Sequence, residues 1–554
     1  MALLVVGLLA AAVGGYAWWQ RSQARARERA RAAAAEAAGA YLAAWEARDV
    51  DRMRSLSVDP PDGFDDLHRA TVEALGVQAV EVDAGTATLV DPGSIAAGAT
   101  VPYSATLHLA GLGQWSYDAT VPLVPVGEGE DRRWRVDWSP AVLHPALDDG
   151  ERLDRVREWP SRAPILGHDG RALDPAGIGL ELVVGRTGEV TAELLQRLGE
   201  PYRPGDMVGL GGLQLAFERR LAGSPSGDVR VVDAQGQVVE VLHRFPGEQP
   251  APLRTTLDPD AQRAAAGALA TASSPSAMVV VDASTSEIRA VVNRPDSGFN
   301  RAFSGRYPPG SAFKVVTTTA VLRAGVTPET VVSCPERAVV HGRPFRNFEG
   351  EAFGDIPFRE AFYRSCNTAF VQLAADLEDG ALDAAAADYG FDSGWSLPVG
   401  EPVARFPEPR DLAERAAAAI GQARVEASPV HLASVAAAVG QGRWRSPTLL
   451  ADADPTVAPD GLDLVADTIA ALMREVPRRG TAEGAGLPEG VAGKTGTAEY
   501  GTGAPLPTHA LFIGFRSDGA GPQRDVAFAV VVEGGSSGGA VAAPVAARFL
   551  AALP

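Results

Sequence analysis

Lysine is almost missing from this chain. Among its 50 lysine and arginine residues, only Lys314 and Lys494 are lysine. The codon usage of a GC-rich genome explains an arginine- and alanine-rich composition, but not the two exceptions. Arginine stays charged inside proteins, whereas a lysine amine loses its proton when buried or placed beside another cation. The two lysines are therefore candidate chemical groups.

Other scarcities exclude whole classes of function. Only Cys334 and Cys366 are present, so no disulfide framework holds the chain together. A single bridge between them stays open; otherwise Cys366 reads as a buried, unreactive thiol. The eight histidines form no H-E-x-x-H and no Cys/His cluster, so neither a metal site nor a cofactor is expected. Basic charge is in deficit: the net charge of −19 argues against a nucleic-acid partner, whose phosphates call for a basic surface. The four asparagines (Asn293, Asn300, Asn347, Asn367) all lie beyond Leu253, as do both cysteines and both lysines. That region is expected to be the working domain.

With 554 residues, 46% of them hydrophobic, the chain has material for about two to four packed domains. "ALLVVGLLAAAVGGYAWW" (2–19) carries no charge and ends in Trp18 and Trp19, which predicts a transmembrane anchor over 2–20. A cleaved signal peptide is the competing reading. No cysteine follows the run, which excludes a lipoprotein anchor. Arg21, Arg25, Arg27, Arg29 and Arg31 follow the run, and the positive-inside rule would keep the body of the protein in the cytoplasm. An extracytoplasmic placement is expected instead on the function argued below. Residues 21–49 read as helix, and Tyr41, Leu42, Trp45 and Met53 continue an apolar helical face. "TATLV", "YSATLHLAG", "QWSYDATVPLVPV" and "RRWRVDWSP" read as strands, giving a small α+β domain over 33–145. Residues 146–252 alternate short helical and strand-like runs with Gly and Pro breaks and read as a linking or pedestal domain. The working domain follows over 253–554.

Around the first lysine, "YPPG" signals a turn and "SAFKVVTTTAVLRAG" a helix ending at Gly325. Ser311 falls in the first turn, with Lys314 three residues on and on the same face. A serine hydroxyl is a weak nucleophile that needs an adjacent base. A desolvated lysine can be that base, and arginine cannot. "RSCNTAF" adds Ser365 and Asn367, and "GKTGT" adds Lys494, Thr495, Gly496 and Thr497. S-x-x-K, S-D-N and K-T-G, in this order, are the trio of penicillin-binding proteins and class A β-lactamases. This chain has Cys366 in place of the Asp of the second motif. "GGSSGG" (534–539) lacks the spacing and lysine of a phosphate loop and reads as a turn between strand and helix. Glu499 and Tyr500, just past the third motif, read as structural.

The resemblance extends beyond the trio. "RTTLDPDAQRAAAGAL" (254–269), "AMVVVDASTSEIRAVVN" (277–293), "FREAFYRSCNTAFVQLA" (358–374), "GKTGTAEY" (493–500) and "HALFIGF" (509–515) resemble the transpeptidase domain of class B penicillin-binding proteins. The 33–145 region resembles the nuclear-transport-factor-like cone domain of the MecA type, found in resistance-type enzymes. The fold this implies is α+β and multidomain: an antiparallel sheet flanked by helices, preceded by a cone-like domain, a linking domain and the membrane helix. The resemblance implies that Ser311 attacks the carbonyl of a D-alanyl-D-alanine stem peptide while Lys314 takes its proton. Ser365 would relay a proton to the leaving amine, and Asn367 would hold the substrate amide and Lys314. Lys494, Thr495, Gly496 and Thr497 would bind the terminal carboxylate, and the N–H groups of Ser311 and Thr497 would form an oxyanion hole. A second stem peptide would accept the acyl group. β-Lactam antibiotics would trap Ser311, and a membrane glycosyltransferase would be the partner enzyme. A class A β-lactamase needs a Glu-x-x-x-Asn segment after the second motif, and no asparagine follows Asn367. A D,D-carboxypeptidase, with water as acceptor, would share the same motifs, as would a β-lactam sensor or scaffold with little turnover.

Overall fold

The computed structural model describes residues 2–127, 132–459, 461–502, 506–517 and 525–553; the side chains of 2–12 lie outside that description. The chain divides into two compact units. One comprises Met1–Arg162, Glu189–Asp206 and Ala222–Pro250; the other comprises Ala163–Gly188, Met207–Leu221 and Ala251–Pro554. Residues 146–252 are shared between them.

In the first unit, the helix Ala2–Glu46 turns Ala34, Ala38, Tyr41, Leu42 and Trp45 to one buried face, the three- and four-residue spacing of an amphipathic helix. Met53 of the helix Val50–Leu56 and Phe64 of the helix Phe64–Leu75 join it. They cover an antiparallel sheet of Val77–Ala84, Ser94–Leu109, Gly113–Val126 and Arg133–Val136, in that order, with Thr88–Asp91 beside the second. Alternation along the long strands buries Val101, Tyr103, Ala105 and Leu107, while Ser104 and Thr106 meet Asp118 and Ser116 on the outer face.

The expected transmembrane helix over 2–20 requires correction. Among the described residues, no helix is long and apolar enough to cross a membrane. The single-pass anchoring and membrane localisation that rested on that span are withdrawn with it. Physically, 18 apolar positions at helical rise give about 27 Å, short of a hydrocarbon core of about 30 Å. The helix also runs unbroken from that stretch into the arginine-rich segment after Gln20. Residues 2–12 of the run fall outside the described side chains.

The second unit is built on five antiparallel strands: β1 (Ser276–Asp282), β2 (Ile288–Arg294), β3 (Ala492–Glu499), β4 (Thr508–Arg516) and β5 (Val526–Val532), in the order β2-β1-β5-β4-β3. β1 and β5 are buried at every position, which requires cover on both faces. Helices α1 (Pro259–Leu269) and α6 (Ala543–Ala552) provide it on one side, and α4 (Pro429–Gln441) packs on β1, β4 and β5. Helices α2 (Lys314–Arg323), α3 (Asn367–Ala375) and α5 (Ala466–Arg479) gather near the β3 end. β3 is an edge strand, bonded to β4 alone among the described strands. The antiparallel, helix-flanked sheet of the working domain is thus present.

Trp444 anchors the α4 side. It is fully buried, its indole N–H donates to Ser434 Oγ at 2.8 Å, and a Cβ on Gly390 would lie 2.2 Å from its ring. Trp444→Ala is expected to lower unfolding stability by about 3–5 kcal/mol, the usual cost of emptying so large a core site. Chemical denaturation measures it, and a loss below about 1 kcal/mol would show that the site collapses around the smaller residue.

Candidate active site

Ser311 sits in a short 3₁₀ turn, Gly310–Phe313, that leads directly into α2 at Lys314. The expected continuous α-helix is therefore tighter at its start, and this matters chemically. In a 3₁₀ turn residues i and i+3 stand almost eclipsed, which puts Ser311 and Lys314 on the same side of the turn. Gly310 makes the turn possible. Its φ is +54°, its N–H donates to Gly421 O at 2.9 Å, and a Cβ there would fall 2.7 Å from the Thr497 carbonyl oxygen. On the β3 side, a Cβ on Gly496 would lie 2.8 Å from Pro309 O. Two glycines thus let the backbone of the nucleophile turn rest against β3.

The amine of Lys314 is fully buried. It donates to Ser365 O at 2.7 Å, Asn367 Oδ1 at 2.7 Å and Ser365 Oγ at 3.2 Å, and lies 5.2 Å from the centre of the Phe370 ring. Lys494, also fully buried, donates to the same Ser365 Oγ at 2.9 Å and to Thr495 O at 3.1 Å. Burial, and then the charge of Lys494, holds the Lys314 amine well below the usual lysine range. Burial pushes Lys494 down to about 7. Two amines converge on one hydroxyl, and a dry site disfavours protonating both.

The segment that carries Ser365 is strained. Ser365 has φ +60°, in the left-handed region that costs a side-chain-bearing residue about 1–2 kcal/mol. Asn367 opens α3 and donates from Nδ2 to Arg346 O at 3.0 Å. The structure thus brings Ser365, Asn367, Lys314 and Lys494 into one hydrogen-bonded cluster, with Ser311 one turn before Lys314. Thr495 is placed differently: its hydroxyl meets that of Thr481, just past α5. The Thr497 hydroxyl is 3.5 Å from the Gly538 N–H. Glu499 forms a long ion pair with Arg346 (3.7 Å), and Tyr500 stacks on His509 at 3.9 Å. A hollow of about 690 Å³ in the other unit, lined by Gln78, Glu200, Tyr202 and Arg203, contains none of these groups. The candidate site is instead the cluster of Lys314, Ser365, Asn367 and Lys494 beside the edge strand β3.

Three features could not be read from the sequence. Cys334 and Cys366 form a disulfide, the bridge that the sequence left open. Thr481 holds Thr495, and Arg346 holds Asn367. Only the cysteines left a signal, being the sole two in the chain and both in the working domain.

The comparisons with known proteins agree with this geometry. A family model described as the penicillin-binding protein transpeptidase domain matches residues 276–551. An NTF2-like N-terminal transpeptidase domain matches 33–151, and a penicillin-binding protein dimerisation domain matches 175–255. The peptidoglycan D,D-transpeptidase PbpA of Mycolicibacterium smegmatis is 33% identical over 46% of this chain and 56% of its own length. PbpA of Mycobacterium tuberculosis is 38% identical over 44% and 55%. The chain therefore spans about half the length of these curated relatives. Among solved structures, penicillin-binding protein A of M. tuberculosis, as a ceftriaxone acyl-enzyme complex, superposes with a TM-score of 0.54. It is 26% identical, and the match covers 71% of this chain and 98% of that one.

Two buried lysines also fix a pH dependence. Each has a folded pKa below its unfolded value near 10.5, so above about pH 7 the unfolded chain binds more protons than the folded one. Stability contributed by these groups should therefore rise from about pH 7 towards pH 10. Urea midpoints of wild type and a Lys314→Met/Lys494→Met variant at both ends of that window test it. The wild type should gain on the variant as pH rises; parallel profiles would mean that neither amine is depressed.

Proposed function

This chain belongs to the class B penicillin-binding proteins, with a MecA-type NTF2-like N-terminal domain, and from that premise we propose that it is a serine D,D-transpeptidase that cross-links peptidoglycan stem peptides. The observation that carries the reading is the Lys314 amine, buried, held by Ser365 and Asn367, on the residue that directly follows the 3₁₀ turn of Ser311. Burial, and then the charge of Lys494, hold its pKa well below the usual lysine range, which favours the proton acceptor that the nucleophile lacks.

The proposed sequence of steps follows from this arrangement. The Ser311 hydroxyl gives its proton to neutral Lys314 as Oγ bonds to the penultimate D-Ala carbonyl carbon. The oxyanion is stabilised by the backbone N–H groups of Ser311 and Thr497. Ser365, whose oxygen takes hydrogen bonds from both lysines, passes a proton to the departing D-Ala amine as the C–N bond breaks. The open edge of β3 offers backbone donors and acceptors to an extended peptide. Lys494, Thr495, Gly496 and Thr497 on that strand receive the terminal carboxylate, with the Thr495 hydroxyl turning from Thr481 to do so. In the second half, an acceptor stem-peptide amine bonds to the ester carbon, its proton returns through the lysine, and Ser311 Oγ leaves as the free hydroxyl. A β-lactam presents the same acyl group in a ring whose amine cannot depart, so it remains on Ser311. A glycosyltransferase that supplies glycan strands is the partner this reaction calls for.

Mass spectrometry of the full chain after exposure to benzylpenicillin should show one added mass, located on Ser311, that persists for many minutes and is absent in Ser311→Ala. Rapid turnover of the antibiotic with return of unmodified protein would make it a β-lactamase instead.

A further inference from the structure

Cys366 lies between the two residues that hold the Lys314 amine. Its neighbours Ser365 and Asn367 supply all three acceptors, and the Cys366 side chain turns away from them to bond Cys334. Cys334 ends the strand Val331–Cys334, which pairs with Gly354–Pro357. The closed loop contains the hairpin Arg337–Val340 and Arg343–Arg346, whose last carbonyl receives the Asn367 amide. One covalent bond therefore ties the S-x-N segment to the element that contacts it from outside.

We propose that the Cys334–Cys366 disulfide is a positioning element: it holds the Ser365–Asn367 turn, and through that turn Lys314, in the arrangement that acylation needs. The inference rests on the reaction proposed above. Two further observations bear on it. A left-handed serine persists only where its surroundings over-determine it, and the bond begins one residue after Ser365. A second tie runs alongside the bridge: Asn347 Nδ2 donates to Pro335 O and Glu351 O, its Oδ1 accepts the Thr368 N–H, and Thr368 Oγ1 donates to Pro335 O. None of these four hydrogen bonds uses a sulfur of the bridge as donor or acceptor. Opening it should loosen the turn without unfolding the unit.

The scarcity of lysine makes the test direct, because protein grown with ¹³C-labelled lysine has only Lys314 and Lys494 to report. The full chain is compared oxidised, after dithiothreitol reduction, and after reoxidation. Reduction delivers two electrons and two protons to the bridge as the reagent closes to its own cyclic disulfide. A Cys334→Ser/Cys366→Ser variant provides the same opening without reductant. In the open forms, water reaching Lys314 should move its titration to higher pH, by more than that of Lys494, the charged group among the described residues that lowers it. The acylation step with benzylpenicillin should slow roughly 10- to 100-fold while non-covalent binding is unchanged, its acid limb moving with Lys314, and reoxidation should restore both. Unchanged Lys314 titration in a folded open form overturns the proposal. So does unfolding of both open forms by circular dichroism, which makes the bridge a stabiliser only. If even the oxidised chain is never acylated while Lys314 still shifts on opening, the proposed reaction fails and the positioning role stands.

Discussion

The hydroxyl of Ser365 receives hydrogen bonds from two buried amines, and most of the catalytic half of this protein is arranged around that meeting. Burial removes water from both lysines and lowers the pKa of each, and the charge of Lys494 lowers that of Lys314 further. Such a pair is costly to place in a core. It is tolerated because both amines meet acceptors: Ser365 O, Ser365 Oγ and Asn367 Oδ1 for Lys314, Ser365 Oγ and Thr495 O for Lys494. The same demand explains why lysine survives at these two positions in a chain that otherwise uses arginine. At 314 a guanidinium would stay charged, and at 494 its bulkier planar head would fit less well among acceptors arranged for one ammonium.

Glycine and strain set the remaining geometry. Gly310 and Gly496 bring the nucleophile turn against β3, and the left-handed Ser365 aims its hydroxyl between the lysines. β3 then presents an unpaired edge beside them. Edge strands usually invite unwanted pairing, and here the open edge is the proposed seat for an extended peptide.

Much of this was legible from residue order alone. The three motifs, the turn before Ser311 and the packed face of Tyr41, Leu42 and Trp45 carry their own local signals, because turn chemistry and periodicity act over a few residues. What was not legible acts across long separations. The Lys314–Asn367 bond spans 53 positions and Lys494–Ser365 spans 129; spacing could place each residue on an element but not aim one at another. The link between Thr495 and Thr481 and the disulfide arise the same way. The transmembrane reading erred for a different reason: composition counts apolar residues but does not show whether they form an adequate span.

The central claim is that acylation of Ser311 needs a lysine that can be neutral at position 314, whereas position 494 needs chiefly a cation. Arginine separates the two requirements. The measurement is the second-order rate constant of labelled-penicillin acylation for Lys314→Arg and Lys494→Arg beside wild type. Lys314→Arg should fall by roughly 10²–10⁴-fold, the usual worth of a positioned general base. Lys494→Arg retains the charge that depresses Lys314 and should fall far less, about tenfold. A Lys314→Arg protein that acylates at the wild-type rate, or a larger loss at Lys494, would contradict this assignment of the base.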